Sequence, residues 1–563
     1  MPKVHPRLLV ALCTLSLVAF CAFRPAYAQR SAIDTYAITN ARIVTVSGST
    51  IERGTVVIRN GLIAAAGANV SAPTDARIID GAGLTIYPGL IDSYTDLALP
   101  EPAPGPSPGG GGGGGGAFLI AAQPRPAGGP NSTQPVGLQP EVMVEDVIRP
   151  SAAELDGSRS IGITTALTVP RSGIWMGQSA LINLSGDTPQ QMIVRSPVAM
   201  HVGFTPLRGT YPGSLMGVFA TLRQMMLDAQ RYRDSIQIYE RNPRGIRRPD
   251  TDRSLAALVP VIEGRMPVVM LANSEREISR ALDLAAEFKL KLIVAGGREA
   301  DRVADRLAKQ NVPVLLSLNL PRRTTAMMPE ADPESLRVLR ERVAAQETAG
   351  KLVKAGVRFG FQSGSLANMS DLMLNVSRVI DNGLEPADAV RAFTLWPAEI
   401  LGVASQLGSI EAGKIANLTI VRGDLFDRNT RVAHVFIDGH PIDLRSLPER
   451  PAARNNLVGI WSIKVNLGGE KVIAIAMQMD GERLTGTMTG ALGMSEIANA
   501  SVSSNGEVRF TVPANIDGQT KEATFTGRLA GNEIRGSVTV AGSAPVTFVA
   551  TRQGDPNWNG VRK

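Results

Sequence analysis

The stretch Ile79-Asp80-Gly81-Ala82-Gly83-Leu84-Thr85-Ile86-Tyr87-Pro88-Gly89-Leu90-Ile91-Asp92 sits where the texture of the chain changes. Before it, from Tyr36, short alternating segments read as strands: Ala37–Val46, Gly54–Arg59, Leu62–Ala66 and Ala76–Asp80, parted by Asn60-Gly61 and other turn residues. This piece is too short to bury a core alone. Leu418–Arg422 and Val432–Ile437 would make suitable partner strands. After it, from about Val142 to Val403, two kinds of segment alternate. Short β-branched runs (Ile163–Val169, Val268–Leu271, Lys291–Ala295, Val312–Ser317, Val357–Phe361) take turns with helical stretches (Glu275–Phe288, Ala300–Lys309, Pro333–Ala355, Leu366–Asp381). Repeated strand-then-helix order argues for a parallel sheet with helical crossovers, either open or closed into a barrel. Arg223–Arg253 reads as a charged helix followed by a loop, its arginines a solvated face.

The outer parts of the chain read differently. At the N-terminus, Lys3 and Arg7 precede the apolar run Leu8–Phe23, and Ala26-Tyr27-Ala28 offers small residues before Gln29, the layout of a secretory signal peptide. Its removal takes Cys13, Cys21 and His5 with it, and the loss of Lys3, Arg7 and Arg24 lowers the net charge from +7 to +4. The exported chain then has no thiol, and its histidines are His201, His434 and His440. Thiolate chemistry is excluded. So small a net charge gives no case for nucleic acid or membrane binding, and no membrane insertion is expected after cleavage.

Residues 97–140 hold frequent prolines and eight consecutive glycines, Gly109 to Gly116, a composition expected of a flexible excursion rather than a packed layer. After Pro451 come eight short alternating segments: Val458–Asn466, Lys471–Asp480, Arg483–Gly490, Ser495–Val502, Glu507–Val512, Lys521–Leu529, Glu533–Val540 and Val546–Thr551. They suggest a small up-and-down barrel or sandwich, with Trp461 as its core plug.

The opening stretch, with Ala37-Ile38-Thr39-Asn40-Ala41-Arg42 and Gly61-Leu62-Ile63-Ala64, resembles the entry to the first barrel strand of the amidohydrolase superfamily. Gly408-Ser409-Ile410-Glu411-Ala412-Gly413-Lys414-Ile415-Ala416-Asn417-Leu418 resembles that family's closing sandwich strand, and Ala392–Gly402 its last helix. The nearest likeness is to the secreted, imidazolonepropionase-like members. The resemblance implies an α/β fold in which a (β/α)₈ TIM-like barrel is flanked by a composite β-sandwich, here with a C-terminal all-β eight-stranded barrel-like domain. The expected division is a signal peptide at 1–28, the first part of the sandwich at 29–86 and the barrel at 87–404 with its insertion at 97–140. The second part of the sandwich follows at 405–446 and the C-terminal barrel at 455–553.

The resemblance also implies metal ligands, about four histidines and an aspartate on the barrel strands. At the places for the first His-x-His stand Tyr94 and Asp96. A later histidine place falls on Leu271 or Asn273, another among Ala295, Gly296 and Gly297, and the last carboxylate falls in Gln362-Ser363-Gly364-Ser365, with Gly364 standing at the ligand position. The aspartate that usually closes the Gly-Lys-x-Ala motif is Asn417. His434 and His440 belong to the sandwich, which leaves His201, read as a hydrogen-bonded residue at a strand end.

The expected site therefore holds no metal and no cofactor. The leading reading is an exported, periplasmic or extracellular, non-catalytic protein that binds a small-molecule or peptide-like ligand, or forms a homo-oligomer or a hetero-oligomer with an active amidohydrolase. An alternative is a hydrolase of non-peptide carbon–nitrogen bonds using an unusual site of Asp92, Tyr94, Asp96 and His201. A third reading makes the C-terminal barrel a lipocalin-like binder of apolar ligands.

Overall fold

A computed structural model describes residues 35–100, 134–150, 152–207, 209–321, 335–364, 366, 369–427, 430–444, 457, 459–466, 470–480, 483–502, 507–516, 519–530, 533–540 and 544–554. The expected signal peptide, and residues 101–133 of the Gly/Pro-rich insertion, lie outside the described residues.

In chain order, β1 (Thr35–Ile43), β2 (Ile51–Arg59), β3 (Leu62–Gly67), β4 (Arg77–Asp80) and β5 (Leu84–Pro88) come first. Next are β6 (Leu90–Thr95), β7 (Ile163–Thr168), β8 (Trp175–Gln178), β9 (Ala180–Asn183), β10 (Ile193–Arg195) and β11 (Met200–Gly203). Then follow β12 (Val268–Ala272), β13 (Leu292–Gly296), β14 (Val314–Ser317) and β15 (Phe359–Gln362), and finally β16 (Leu418–Arg422), β17 (Val432–Ile437) and β18 (His440–Ile442).

The first five strands and the last three share one sheet, ordered β18-β17-β16-β5-β1-β2-β3, with β4 beside β1. Its seam is the antiparallel pairing of β5 with β16, from Pro88 opposite Leu418 to Leu84 opposite Arg422. Ile38, Ile43, Val56, Ile58, Ile86, Leu418, Ile420 and Phe436 pack its core. His434 and His440 fall on β17 and β18, in this sheet and not in the barrel.

At Gly89 the chain passes from β5 into β6, from sandwich to barrel. Its N–H donates to the Asn417 carbonyl at 2.7 Å, and a Cβ there would collide with the Thr164 side chain. Only glycine lets the two backbones meet so closely.

The barrel closes in an uneven way. β6 and β7 are parallel, and β11 through β15 are parallel in order. Ser93 Oγ donates to Phe361 O at 2.7 Å and Gly364 N to Tyr94 O at 3.0 Å, joining β15 back to β6. Between β7 and β11 the circle is completed by one strand running against the rest. It bends at Ser179, so that β9 pairs with β7 and β8 pairs with β11, both antiparallel. The Ser179 N–H donates to Ala199 O at 3.0 Å and its carbonyl accepts from Val198 N at 2.9 Å, which holds the bend.

Two apolar layers follow from strand alternation. Ile91, Leu167, Leu181, Val269, Ile293 and Leu315 fill the lumen. Leu90, Ile163, Met200, Val202, Val268, Val294 and Phe361 face the surrounding helices. Asn417, where an aspartate was expected, ties sandwich to barrel: its Nδ2 donates to Thr165 Oγ1 at 2.9 Å and Asn183 Oδ1 at 2.7 Å, and its Oδ1 accepts from Asp438 N at 2.8 Å.

Residues 459–554 form a separate antiparallel ring. The segment expected as one strand, 495–502, breaks at Ile497, whose N–H donates to Gly486 O at 2.9 Å. Ser495–Glu496 pairs with Arg483–Gly490, and Ala498–Val502 pairs with Glu507–Ile516. The broken strand thereby closes the sheet on itself. Its interior is filled by Trp461, Ile475, Met477, Phe510, Phe525, Val538 and Phe548, among others. Trp461 is fully buried and donates through Nε1 to Leu457 O at 2.8 Å, as befits the plug of this core.

Candidate functional site

The residues named for chemistry stand at the ends of β6, β11, β12 and β15. An irregular register between Asp92 and Thr95 turns both Ile91 and Tyr94 toward the lumen. Tyr94 is half-buried, and its ring lies 5.6 Å from that of His201, tilted by 59°. Burial pushes its phenol above the ordinary range, and the Asp96 charge adds to the effect.

His201 is the second residue of β11, fully buried, with Gly177 opposite on β8 and Val269 on β12. It was expected to be hydrogen-bonded at a strand end. Instead neither ring nitrogen has a hydrogen-bond partner among the described residues. The strands on both sides of β11 satisfy its backbone and leave its ring among apolar lumen side chains. Desolvation lowers its pKa to about 3, so the ring is neutral at ordinary pH.

Asp92 does not face a reacting centre. It is fully buried, accepts from Ser363 N at 2.9 Å and from the Ser363 hydroxyl, and more weakly from Tyr94 N at 3.4 Å. Burial raises its pKa to about 6, against the lowering effect of the Ser363 and Tyr94 hydrogen bonds. Its work is to staple β6 to the end of β15.

Asp96 is engaged elsewhere. Its Oδ2 accepts from Arg171 Nε at 2.7 Å, and the same guanidinium reaches the carbonyls of Leu99, at 3.3 Å, and Pro100. Of the four residues of the alternative site, then, Tyr94 and His201 come together as rings, while Asp92 and Asp96 are bound to Ser363 and Arg171.

The remaining ligand places are no better furnished. Leu271 packs with the lumen side chains, and Ala295 is fully buried among them. Asn273 begins a helix: its N–H and that of Ser274 donate to Glu277 Oε2 at 2.9 and 3.0 Å, part of the capping box that starts Glu275–Phe288. Its side chain lies over Gly296, where a Cβ would be 2.5 Å from Asn273 Oδ1. At Gly364 a Cβ would stand 2.5 Å from Gln362 Oε1 and 3.1 Å from Tyr94 Cδ1, so a carboxylate there would first have to displace the Gln362 side chain.

A hydrolytic metal needs several imidazoles or carboxylates in fixed, open geometry. A phenol, an aliphatic chain, a helix-start amide and a glycine do not make such a set. Nor do three His, Cys, Asp or Glu side chains meet anywhere among the described residues. The larger cavity seen, about 200 Å³, lies away from this site, between Asn311, Arg358 and Glu399.

Residues 216–442 match the model of the amidohydrolase family. Among solved structures, the amidohydrolase from Thermotoga maritima MSB8 superposes with a TM-score of 0.60 at 23% identity, over 72% of this chain and 99% of that one. A prolidase complexed with N-methylphosphonate-L-proline gives 0.42 at 17% identity, over 72% and 99%. Molinate hydrolase gives 0.42 at 16%, over 74% and 96%. No curated protein matches the chain. The chain thus shares the fold of that amidohydrolase, a TIM-like barrel built on a split sandwich, and the family model matches it over the part from residue 216 to 442.

Sequence reasoning missed two residues of the site. Ser363 and Arg171 carry no motif, and their partners lie 271 and 75 residues away in sequence. The end of β6, by contrast, could be placed from the sequence because the Pro-Gly-hydrophobic-Ile-Asp motif runs into it.

Proposed function

We propose that this chain is an exported, non-catalytic amidohydrolase-fold protein, which acts by binding a ligand or by pairing with an active relative. The single observation that supports it is the lumen at the metal places, where Tyr94, Leu271 and Ala295 stand in an apolar setting and Gly364 offers no side chain. The buried, neutral His201 beside them has lost the charged partners that a general acid or base would work against. Water cannot be activated at neutral pH by such a group of side chains. Export is supported by Lys3, Arg7, the run Leu8–Phe23 and Ala26-Tyr27-Ala28.

The test is metal analysis of the purified protein together with an assay of amide and carbamate hydrolysis. The expected result is Zn²⁺, Mn²⁺ and Fe far below one per chain, and no hydrolysis when these ions are added. Stoichiometric metal, lost along with hydrolysis in Asp96→Asn or His201→Gln, would overturn the proposal. N-terminal sequencing of secreted material tests the export half, with Gln29 as the expected first residue.

A further inference from the structure

The helix Leu215–Arg241 has 27 residues, about 40 Å at 1.5 Å per residue. It starts eight residues before the charged stretch suggests, because its first two turns are uncharged. Its packing stops halfway. Val218, Thr221, Leu222, Met225, Met226 and Ala229 are its buried residues, and from Gln230 through Arg253 no side chain is buried. The inward-facing pattern nevertheless continues: Tyr232, Ile236 and Tyr239 prolong the line of Met225 and Ala229 at spacings of three and four. In the same stretch Ile238 is 55% exposed and Ile246, on the following loop, 41%. Three turns of helix with half-buried side chains and no fully buried one gain less from the rest of the fold than its first half does.

The charges here are also left over. Arg233 pairs with Asp234, and Arg247 with Asp250. Asp252 caps the helix Arg253–Ile262 by accepting from Leu255 N at 2.9 Å. The guanidinium groups of Arg231, Arg241, Arg244, Arg248 and Arg253 have no partner among the described residues, and the acid left to face them within the stretch is Glu240. A solvated face accounts for the arginines. It does not account for the exposed Ile238 and Ile246 set among them, with Tyr232 and Tyr239 half-buried beside them.

We propose that residues 230–253 dock the protein on an anionic phospholipid bilayer. Guanidinium groups bind phosphate in a two-pronged fashion that ammonium groups cannot. Tyrosine rings seat at headgroup depth, and isoleucine side chains reach the acyl boundary below. The element is a finger of helix and loop with one exposed side rather than a groove, so a fluid headgroup layer can mould around it, whereas a folded acidic partner would need a matching cleft. A second copy of the chain is ill suited, because it brings the same surplus of positive charge to the same place. The proposal stands apart from the question of catalysis.

The test is co-sedimentation of the full chain with large unilamellar vesicles of phosphatidylcholine alone, or mixed equally with phosphatidylglycerol. The parent is compared with the variant Arg231→Gln, Arg241→Gln, Arg244→Gln, Arg248→Gln. Both carry the apolar run Leu8–Phe23, so their difference reports the finger alone. We expect the parent to prefer the anionic vesicles, with added salt weakening it, and the variant to bind them at least about tenfold less tightly. A second variant, Ile238→Ser with Ile246→Ser, keeps every charge and should bind a few-fold less tightly. Unchanged thermal melts establish that the variants are folded. Equal binding of parent and arginine variant to anionic vesicles overturns the proposal, as does a parent with no preference for them. Binding to soluble polyglutamate without binding to vesicles also overturns it, and points to an acidic protein instead.

Discussion

The two rings of this molecule are closed by the same device and filled in opposite ways. In the large barrel one strand bends at Ser179 and pairs with a different neighbour on each side of the bend. In the C-terminal ring the strand broken at Ile497 does the same. The interior of the smaller ring is apolar side chains in contact, with the one Trp461 N–H satisfied by Leu457. The large barrel instead buries Asp92 and His201 near its mouth, one shifted to favour its protonated form and the other its neutral form. A packed interior costs stability only when volume is removed, whereas an interior with buried ionisable groups also answers to pH.

The largest expected effect is in the small ring. Trp461→Ala should cost about 3–5 kcal/mol, measured by urea unfolding of the full chain, with a cost the same at pH 5 and pH 7. A strongly pH-dependent loss would break the contrast.

In the large barrel the two buried groups act against each other. Asp92 has a folded pKa of about 6 against an ordinary value of 3.8, so the folded chain keeps a proton that the unfolded chain releases. Its contribution to stability therefore falls as pH rises from about 4 to 6. His201 has a folded pKa of about 3 against 6.5, so the unfolded chain takes up a proton that the folded chain refuses. Its contribution falls as pH drops below about 6.5. Over the shared window the parent should be nearly flat. Asp92→Asn should leave stability rising with pH, and His201→Phe should leave it falling, each by on the order of 3 kcal/mol across the window. Unfolding series at pH 4, 5, 6 and 7 decide this, and two flat variants would refute it.

Smaller effects sharpen the same picture. Asn417→Asp sets a carboxylate against Asn183 Oδ1 where an N–H now donates. It should destabilise by about 1–3 kcal/mol at pH 7 and recover in part at pH 4, as read from thermal melts. Arg171→Gln frees Asp96 from a half-exposed pair and should cost no more than about 1 kcal/mol. A larger loss in the same melts would mean that the rim at Leu99 and Pro100 depends on that guanidinium.

Much of this architecture could be read before any coordinates. Strand-then-helix alternation from Ile163 onward marks the barrel, and the helix Glu275–Phe288 keeps its expected ends because Ser274 and Glu277 form a capping box. The reversed stave is not legible because Gly177-Gln178-Ser179 is too short and weak a turn signal, and the bend at Ser179 relies on contacts with Val198 and Ala199. The helix at Leu215 was placed too late because its first turns lack charge. At the site, the sequence puts Tyr94 at the end of β6 and His201 on a barrel strand, and both lie there. It cannot say that Asp92 is held by Ser363, since such pairing arises only when the barrel closes.

The seam between β5 and β16 constrains how the chain can be made. Pro88 waits for Leu418, roughly 330 residues later, a delay on the order of tens of seconds at ribosomal speed. Until then the edge of β5 stays unclaimed and the sandwich cannot close. A nascent polypeptide therefore carries an unfinished first module through most of its own synthesis.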